Sequence, residues 1–409
     1  MTTTSERQLE ILPERNLPFL LHAQQEAEAK GLYDFPVIDA DSHIADLGDI
    51  RKFIGYIRNP NFARAFEKYS ALDLRRLFLD WNLGDRAIAA RSKTYGMWDD
   101  LPEGIPEGMP RTVASTIQFM DRAGIDYLVS FPTLMLSIGA SPQPEMQTEM
   151  AWAFNTWLVD DVIPWDERIL AMPYLPISDP AATLRIVEHF AERRNVVGWM
   201  ITGVRTEPLH HNEYLPLWST INDIGKPVAF HSGPNWKERP FEVMGRFFGA
   251  HGLGFSFYSM VHLTNIVLSG LAEHFPNIRW IFIESGQSWV PFMMARLDQQ
   301  YRMRPSEAPL LQRLPSDYIR EMYFTTQPFE DHTYNPDVGR AIFDASNGPH
   351  SWLYASDYPH HDFDLPGVLH SLPYLDEQEK RAVLGGNALR LFNLPDATPT
   401  RTRRLATRR

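Results

Sequence analysis

Short apolar segments that alternate with amphipathic helical segments are the feature that most constrains the fold of this chain. The short segments are rich in Val, Ile and aromatic residues and lack a clean alternation of polar and apolar residues. This pattern is typical of parallel strands that are buried on both faces. The predicted strands are Val37–Asp41, Tyr127–Phe131, Ile169–Tyr174, Val197–Ile201, Pro227–His231, Arg279–Ile283, Met322–Thr325 and Trp352–Ala355.

The segments between these strands have the periodicity of amphipathic helices. Eight strand–helix repeats predict an α/β fold of the closed (β/α)8 TIM-barrel type rather than an open doubly wound sheet. An open sheet would also bring a glycine-rich phosphate loop after its first strand, whereas here the residues that follow it read SHIAD. The predicted helices are Val113–Ala123, Met146–Val162, Ala181–Arg194, Leu215–Ile224, Met260–His274, Val290–Arg302, Pro336–Phe343 and Gln378–Phe392.

The two ends of the chain fall outside the repeats. Residues 1–34 contain a helical stretch, Pro18–Ala29, and are predicted to form an arm that packs on the barrel or on another subunit. The metal-dependent barrel is predicted to span residues 35–395. Residues 396–409 have the composition of a basic, flexible tail.

Two segments are too long for ordinary loops between a strand and its helix, which usually have about 2–6 residues. Residues 46–111 contain a helical pattern of their own, Phe62–Leu79, followed by the Pro- and Gly-rich sequence PEGIPEGMP. Long insertions at this face of a barrel often cover active sites, so we predict a lid over the barrel mouth. A second long loop, Ser232–Gly254, is predicted after the fifth strand.

Composition excludes several classes of protein. The chain has no cysteine, which excludes disulfides, thiolate metal sites and cysteine nucleophiles and leaves His, Asp and Glu as metal ligands. Its net charge of -12 and pI near 5.6 argue against a nucleic-acid partner. No apolar run approaches the roughly 18 residues that cross a bilayer, and no signal peptide is visible. We therefore expect a cytoplasmic protein without a membrane partner.

Metal-binding side chains lie at or just after the predicted C-terminal ends of the strands, where barrel enzymes carry their active sites. Asp41 and His43 are two residues apart, so both point to the same side of an extended strand. Such side chains are rarely buried unless they are paired or bind a metal. The candidate ligands are Asp41, His43, His231, Glu284, Asp357 and His360.

These motifs resemble those of the amidohydrolase-related family over roughly Val37 to Leu394. The resemblance rests on D-x-H in the first strand, His231 at the end of the fifth and SDYPH after the eighth. It also rests on the segments SGLAEHFPNIRWIFIESGQSWVPFMMARLD, YFTTQPFED, ASDYPHHDFDLP and LGGNALRLFNL. The family contains barrel hydrolases and non-oxidative decarboxylases of the aminocarboxymuconate-semialdehyde and resorcylate type.

The resemblance implies a ligand set and a mechanism. The metal ligands would be Asp41, His43, His231 and Asp357, and the metal would polarise the substrate or activate a bound water. Asp357 would shuttle a proton. With Asp357, we take His231 and Glu284 as the candidate catalytic residues.

Three departures from the family pattern bear on the metal. Asp41 stands where many members have the first histidine of His-x-His, and Glu284 stands where some have a histidine. No lysine follows the fourth strand, where two-metal members often carry a carboxylated bridge; Arg205 is nearby instead. The oxygen-rich set favours Mn²⁺ or Fe²⁺ more than an all-histidine site would, with Zn²⁺ as the alternative. We expect one ion, and the donors suffice for two.

Other side chains have weaker signals. Arg205 is predicted to pair with a substrate carboxylate, the alternative being a structural ion pair. Trp236 and Trp289 are predicted to wall a substrate pocket, the alternative being simple core packing. His251, in the predicted loop after the fifth strand, is a candidate supporting base. His262 and His274 are predicted to be structural and are not counted among the site residues.

Three functions are compatible with these features. The leading one is a metal-dependent enzyme that hydrolyses or non-oxidatively decarboxylates a small polar organic acid. The second is an oxygen-dependent hydroxylase with a dinuclear iron or manganese centre on the same barrel, as in a few relatives. The third is a metal-binding subunit that supports a related catalytic chain. We expect a homo-oligomer, or a hetero-oligomer with such a chain.

Overall fold

The computed structural model describes residues 16–44, 52, 54–68, 105–141, 143–202, 208–231, 241, 243–360 and 362–395. Eight parallel strands are found there, each beginning within two residues of its predicted start. This confirms the predicted strand order. The strands are β1 Ile38–Ile44, β2 Tyr127–Pro132, β3 Ile169–Ala171, β4 Trp199–Ile201, β5 Val228–His231, β6 Trp280–Ile283, β7 Tyr323–Thr325 and β8 Trp352–Leu353.

The strands pair in sequence order as two sheets, β1–β2–β3 and β4 to β8. One seam between the sheets lies between β3 and β4. There the Val197 amide donates to the Ala171 carbonyl at 3.0 Å, and the Leu175 amide donates to the Met200 carbonyl at 2.8 Å. Backbone hydrogen bonds therefore continue the parallel pairing from the first sheet into the second.

The other seam lies between β8 and β1. The Ala40 amide donates to the Tyr354 carbonyl at 2.8 Å, and the Asp357 amide donates to the Asp41 carbonyl at 2.8 Å. With hydrogen bonds at both seams, the strands form a closed ring. The predicted (β/α)8 TIM barrel is confirmed.

Helices surround this ring, and no helix in the described part of the chain is long and apolar enough to cross a membrane. The α-helices are α1 Asn16–Ala29, α2 Pro60–Glu67, α3 Arg111–Ala123, α4 Pro144–Trp157, α5 Pro180–Phe190, α6 Leu215–Ile224, α7 Phe247–Leu268, α8 Leu271–His274, α9 Trp289–Met303, α10 Pro315–Ile319, α11 Pro336–Ala345, α12 Gly348–Ser351, α13 Pro366–His370, α14 Glu377–Arg381 and α15 Asn387–Phe392. Short 3₁₀ turns cover Leu32–Asp34, Leu134–Ala140, Ile163–Trp165, Asn212–Tyr214 and Pro305–Glu307, and π turns cover Leu158–Val162 and Ala382–Gly386.

Local sequence explains several helix ends. At the start of α5 the Asp179 side chain accepts a hydrogen bond from the Ala182 amide at 2.9 Å, and Pro180 occupies the first helical position. Helix α3 ends at Gly124, whose φ of 81° is readily adopted only by glycine. The capping side chain of Asp179 and the glycine at position 124 thus fix the start of α5 and the end of α3.

An aromatic layer fills the space between the strands and the helices. Phe230, Phe282 and Phe324 come from β5, β6 and β7, and successive ring centroids are 5.6 Å apart. His262 of α7 stacks on Phe230 at 4.7 Å. Because neighbouring residues of a strand point to opposite faces, His231 points into the barrel where Phe230 points out.

The N-terminal helix α1 packs on the barrel, which is one of the two alternatives given for the predicted arm. Phe19 of α1 lies 6.3 Å from the Phe119 ring of α3 and 4.9 Å from the Phe363 ring that follows β8. At the end of α1, Lys30 Nζ donates to the Gly367 carbonyl at 2.8 Å. The arm therefore covers helix α3 and the segment that follows β8.

The described part of the insertion, mainly residues 54–68, packs along α4 and the π turn that extends it. The Arg58 and Asn59 amides donate to Glu149 at 2.9 and 3.0 Å, and Tyr56 donates to Asp161 at 3.0 Å. Residues 69–104 and the tail 396–409 lie outside the described residues. The lid and the flexible tail stay predictions.

The predicted loop Ser232–Gly254 is wrong at its C-terminal end, because α7 begins at Phe247. Residues 247–254, which begin this helix, include three glycines, at positions 249, 252 and 254, and glycine lowers intrinsic helix propensity. Packing overrides that preference, since Ala250 and Phe255 are buried in the structure. His251 consequently lies on a helix and not in a loop.

Candidate metal centre

Four side-chain atoms converge inside the C-terminal mouth of the barrel. His43 Nε2 lies 3.1 Å from His231 Nε2, 3.1 Å from Asp357 Oδ1 and 3.5 Å from Asp41 Oδ1. Asp41 Oδ1 lies 3.4 Å from His231 Nε2. Ligands about 2.1 Å from one tetrahedral ion would be about 3.4 Å from each other. The separations among Asp41, His43 and His231, and that between His43 and Asp357, are those of atoms that share one cation.

The hydrogen bonding of these side chains also fits a cation. Both carboxylate oxygens of Asp41 and Oδ2 of Asp357 are buried without a hydrogen-bond partner in the structure. A buried carboxylate without a partner costs several kcal/mol, and two at one point repel each other as well. A divalent cation would satisfy these lone pairs and cancel the repulsion, so the residues present fit a metal.

His43 is in the form that metals bind. Burial lowers the pKa of His43 well below its usual range, and the nearby His360 lowers it further. A neutral imidazole offers a lone pair to a cation, whereas a protonated one does not. His43 is therefore able to act as a ligand at neutral pH.

Two of the acidic residues have a strained backbone. Glu284, directly after β6, has a φ of 52°, and Asp357, after β8, has a φ of 60°. This left-handed conformation costs a non-glycine residue about 1–2 kcal/mol and concentrates at functional sites. At Glu284 this conformation is held in part by a hydrogen bond, which the Glu284 amide donates to Thr325 Oγ1 at 3.0 Å.

Glu284 lies between the four converging atoms and a second group of donors. Its Oε2 is 3.8 Å from His231 Nδ1, and its Oε1 is 3.8 Å from His251 Nε2. Burial raises the pKa of Glu284 well above its usual range, and the charges of Asp357 and Asp362 raise it further. A cation nearby would oppose this effect.

His360 packs against the same group. Its Nδ1 is 2.8 Å from Asp357 Oδ1, its ring stacks on His43 at 4.0 Å, and its Nε2 is 3.2 Å from Thr133 Oγ1. Burial by itself lowers the pKa of His360, but the hydrogen bond to Asp357 and the charges of Asp357, Asp362 and Asp41 together outweigh burial and raise it. The structure thus brings together all six predicted ligands, whose metal-binding roles stay predictions.

Trp289 lies away from the mouth. It is buried, its Nε1 donates to the Ser285 carbonyl at 2.9 Å, and its ring packs 6.0 Å from Phe282 and 5.7 Å from Phe324. These are rings of the aromatic layer between strands and helices, so the predicted substrate contact is corrected to a packing role. Arg205 and Trp236 lie outside the described residues, and their substrate contacts stay predictions.

Sequence reasoning missed or underrated some members of the site. Asp362 was not singled out, although it lies 3.8 Å from His251 Nε2 and forms a possible metal-binding group with His251 and Glu284. Thr133, directly after β2, was also missed. Their positions just beyond strand ends were the available signal, since the C-terminal ends of all strands meet at one face.

Comparison with known proteins agrees with this architecture. The amidohydrolase family profile matches residues 38–394, whereas among curated proteins none matches the chain. Similar solved structures include an amidohydrolase from Mycobacterium avium subsp. paratuberculosis K-10, with 19% identity, a TM-score of 0.63 and coverage of 88% of this chain and 99% of that one. A 5-carboxyvanillate decarboxylase from Sphingomonas paucimobilis has 18% identity and a TM-score of 0.61, with coverage of 88% of this chain and 100% of that one.

A dihydroxybenzoic acid decarboxylase from Polaromonas sp. JS666, solved with manganese and 2-nitroresorcinol, has 18% identity, a TM-score of 0.59 and coverage of 88% and 97%. At these identities the likeness establishes a shared fold. The family profile extends over most of the chain, from the start of β1 to just after α15. The chain therefore belongs to the amidohydrolase family of metal-dependent hydrolases and lyases.

Proposed function

We propose that this protein is a metal-dependent enzyme that decarboxylates or hydrolyses a small organic acid at the barrel mouth, with decarboxylation of an aromatic acid as the first choice. The observation that carries the proposal is a set of contacts of 3.1–3.5 Å, which join Asp41 and His231 to His43 and to each other, and Asp357 to His43. A divalent cation bound there would supply Lewis-acid polarisation of a substrate oxygen or lower the pKa of a water molecule.

The donor chemistry supports a relatively hard ion. Carboxylate oxygens are preferred by Mn²⁺ and Fe²⁺ more than by ions that favour nitrogen or sulfur, with Zn²⁺ remaining an alternative. Manganese is also the ion described for the Polaromonas decarboxylase of similar fold. We propose Mn²⁺ as the first ion to test.

Asp357 is placed to hold or move a proton. Its Oδ2 has no hydrogen-bond partner in the structure, and its Oδ1 is 2.8 Å from His360 Nδ1. Thr133 Oγ1 contacts the opposite ring nitrogen and so fixes the orientation of the imidazole. Asp357 Oδ2 is therefore the oxygen at which a proton would be taken up from, or passed to, a substrate bound beside the cation.

The preference for an aromatic acid rests on the wall beside the cluster. The buried Phe131 ring lies 5.2 Å from the His231 ring and 6.4 Å from the His43 ring. An apolar ring at this position suits a substrate with a flat apolar body next to its polar groups. Two of the similar solved structures are decarboxylases of aromatic acids, which supports the same choice.

The test is turnover of purified, Mn²⁺-loaded protein on a panel of aromatic acids that includes 2,6-dihydroxybenzoate and 5-carboxyvanillate. We expect release of carbon dioxide under nitrogen as well as in air, and loss of release in His231→Ala. Absence of turnover on the whole panel with Mn²⁺, Zn²⁺ and Fe²⁺ would count against decarboxylation.

A second candidate function is favoured by the position of Glu284. This side chain belongs both to the group with Asp41, His43 and His231 and to the group with His251 and Asp362. These groups could therefore hold two ions, as a dinuclear oxygen-dependent hydroxylase would require. Oxygen activation needs redox-active ions, because zinc has no redox chemistry. About two iron or manganese ions per chain, with turnover that stops under nitrogen, would favour this candidate over the first.

A further inference from the structure

Asp39 is a fully buried carboxylate on β1, two residues before Asp41. Its Oδ1 accepts a hydrogen bond from the Ser356 amide at 2.8 Å, and its Oδ2 accepts one from Ser356 Oγ at 2.5 Å. Oδ1 also accepts from the Asp41 amide at 3.3 Å. Both oxygens are thus used within the β1–β8 seam, and neither belongs to the cluster of candidate ligands.

Ser356 connects this carboxylate to the other side of the site. Its hydroxyl accepts a hydrogen bond from the Tyr358 amide at 3.0 Å, so the hydroxyl and the backbone around Asp357 are held together. Asp357 itself donates from its amide to the Asp41 carbonyl at 2.8 Å. Asp39 therefore contacts, directly or through Ser356, the backbone of both candidate carboxylate ligands.

Closure of the barrel does not by itself require a buried carboxylate at a seam. The β3–β4 seam is joined by backbone hydrogen bonds such as that from Val197 to Ala171. A buried carboxylate is costly to desolvate and is retained where its hydrogen bonds fix a particular geometry. At this seam the geometry to be fixed is the left-handed backbone of Asp357, which an unrestrained residue would leave.

We propose that Asp39 is a positioning residue that acts through Ser356 to hold the Asp41 and Asp357 carboxylates at one cation. The inference rests on the proposed function, since it requires these two carboxylates to be metal ligands. Loss of the Asp39–Ser356 contact lets Asp357 relax and moves its oxygens away from the other donors. The consequence is weaker cation binding, while the chemistry at a filled site is retained.

The experiment compares Mn²⁺ affinity, measured by calorimetry, in wild-type protein, Asp39→Asn and Ser356→Ala. Asn replaces one acceptor with a donor, and Ala removes the hydroxyl that Asp39 binds. The control is Asp126→Asn, because Asp126 is also buried and accepts a hydrogen bond from the Val37 amide at 3.0 Å, beside the opposite end of β1. Thermal unfolding of each variant reports its stability separately.

We expect the Kd for Mn²⁺ to rise roughly 10–100-fold in Asp39→Asn and Ser356→Ala, as for other residues that support metal ligands. Turnover should approach the wild-type kcat when Mn²⁺ is saturating. Asp126→Asn should keep the wild-type Kd even if it unfolds at a lower temperature. If Asp39→Asn does not fold, Ser356→Ala, which loses only a hydroxyl, decides the matter.

Two results would overturn the inference while leaving the proposed function intact. One is an unchanged Kd in Asp39→Asn and Ser356→Ala. The other is an equal rise in Asp126→Asn, which would make affinity follow general stability. Failure of the wild-type protein to bind Mn²⁺, Fe²⁺ or Zn²⁺ would instead overturn the metal site, and the role of Asp39 with it.

Discussion

Two buried histidines near β5, His231 and His262, lie in different surroundings. His231 ends β5 and points into the barrel, where its Nε2 lies 3.1 Å from His43 Nε2. His262, on the helix that follows β5, is packed in the aromatic layer against Phe230. Substitutions at these two positions should therefore affect different properties of the protein.

His231→Ala should remove a metal ligand. We expect the metal content of the purified variant to fall well below that of wild type. Activity should fall by more than the roughly 10–100-fold typical of residues that only support ligands. Elemental analysis checks the first expectation, and His274→Ala is the control because His274 is exposed on the short helix α8. A metal content equal to that of wild type would remove His231 from the ligand set.

His262 should make stability depend on pH. Burial lowers its pKa to about 4, whereas an unfolded histidine titrates near 6.5. The unfolded chain thus takes up a proton first as pH falls, so stability that is present above about pH 6.5 is lost as pH falls toward 4. By pH 5 the loss is about 2 kcal/mol.

His262→Phe keeps the ring and removes the proton site. We expect the difference in Tm between pH 7.5 and pH 5.0 to be smaller in this variant than in wild type. His274→Phe, at an exposed position, should leave the difference unchanged. A pH dependence equal to that of wild type in His262→Phe would show that His262 does not contribute to it.

At the scale of elements, the N-terminal helix stabilises the segment that carries part of the candidate site. Phe19 of α1 contacts Phe119 and Phe363, and Phe119 stacks on Tyr358 at 3.9 Å. Tyr358 directly follows Asp357. The arm is therefore coupled by a continuous series of rings to the backbone of one candidate ligand.

Phe19→Ala should lower the free energy of unfolding by about 3 kcal/mol, because it leaves a cavity among these buried rings. Leu21→Ala is a matched control on the same helix, since Leu21 is 44% exposed and should change stability by less than about 0.5 kcal/mol. Denaturant unfolding of both variants measures the difference. Equal effects would mean that the arm does not depend on its buried face.

At the scale of the whole molecule, metal removal should destabilise the protein. Without a cation the buried carboxylates of Asp41, Glu284 and Asp357 repel one another. Binding to the folded state alone, at an Mn²⁺ concentration 100 times the Kd, contributes about 2.7 kcal/mol. Tm after chelation and after readdition of Mn²⁺ measures this contribution.

The contribution of Mn²⁺ binding to stability should grow as pH rises. The raised pKa of Glu284 means that the metal-free protein has stability at low pH that is lost as pH rises through that pKa. Protons also compete with the cation at the carboxylates and imidazoles. We therefore expect a larger Mn²⁺-induced rise in Tm at pH 7.5 than at pH 5.5. A rise that is the same at both values would contradict binding at titrating ligands.

At the scale of the molecule, this chain is either catalytic itself or a subunit that supports a related catalytic chain. The candidate ligands found in the described residues all come from one chain, as they would in a catalytic chain. Turnover by the purified single chain would support catalysis by this protein itself. Turnover found only after co-expression with a related chain would favour the supporting role.

Much of the fold and the candidate ligand set could be predicted from the sequence, because both depend on local information. Apolar runs bounded by helical periodicity located all eight strands. Chemical type and position at strand ends then located Asp41, His43, His231 and Asp357, since parallel strands bring their C-terminal ends to one face.

The tertiary structure alone decided which side chains meet. Trp289 faces the aromatic layer rather than the mouth, and the glycine-rich start of α7 is helical because its apolar residues are buried. Asp39 and Ser356 are 317 residues apart in sequence yet share two hydrogen bonds. Neither periodicity nor residue type contains such pairings, because they arise only when closure of the barrel places β8 beside β1.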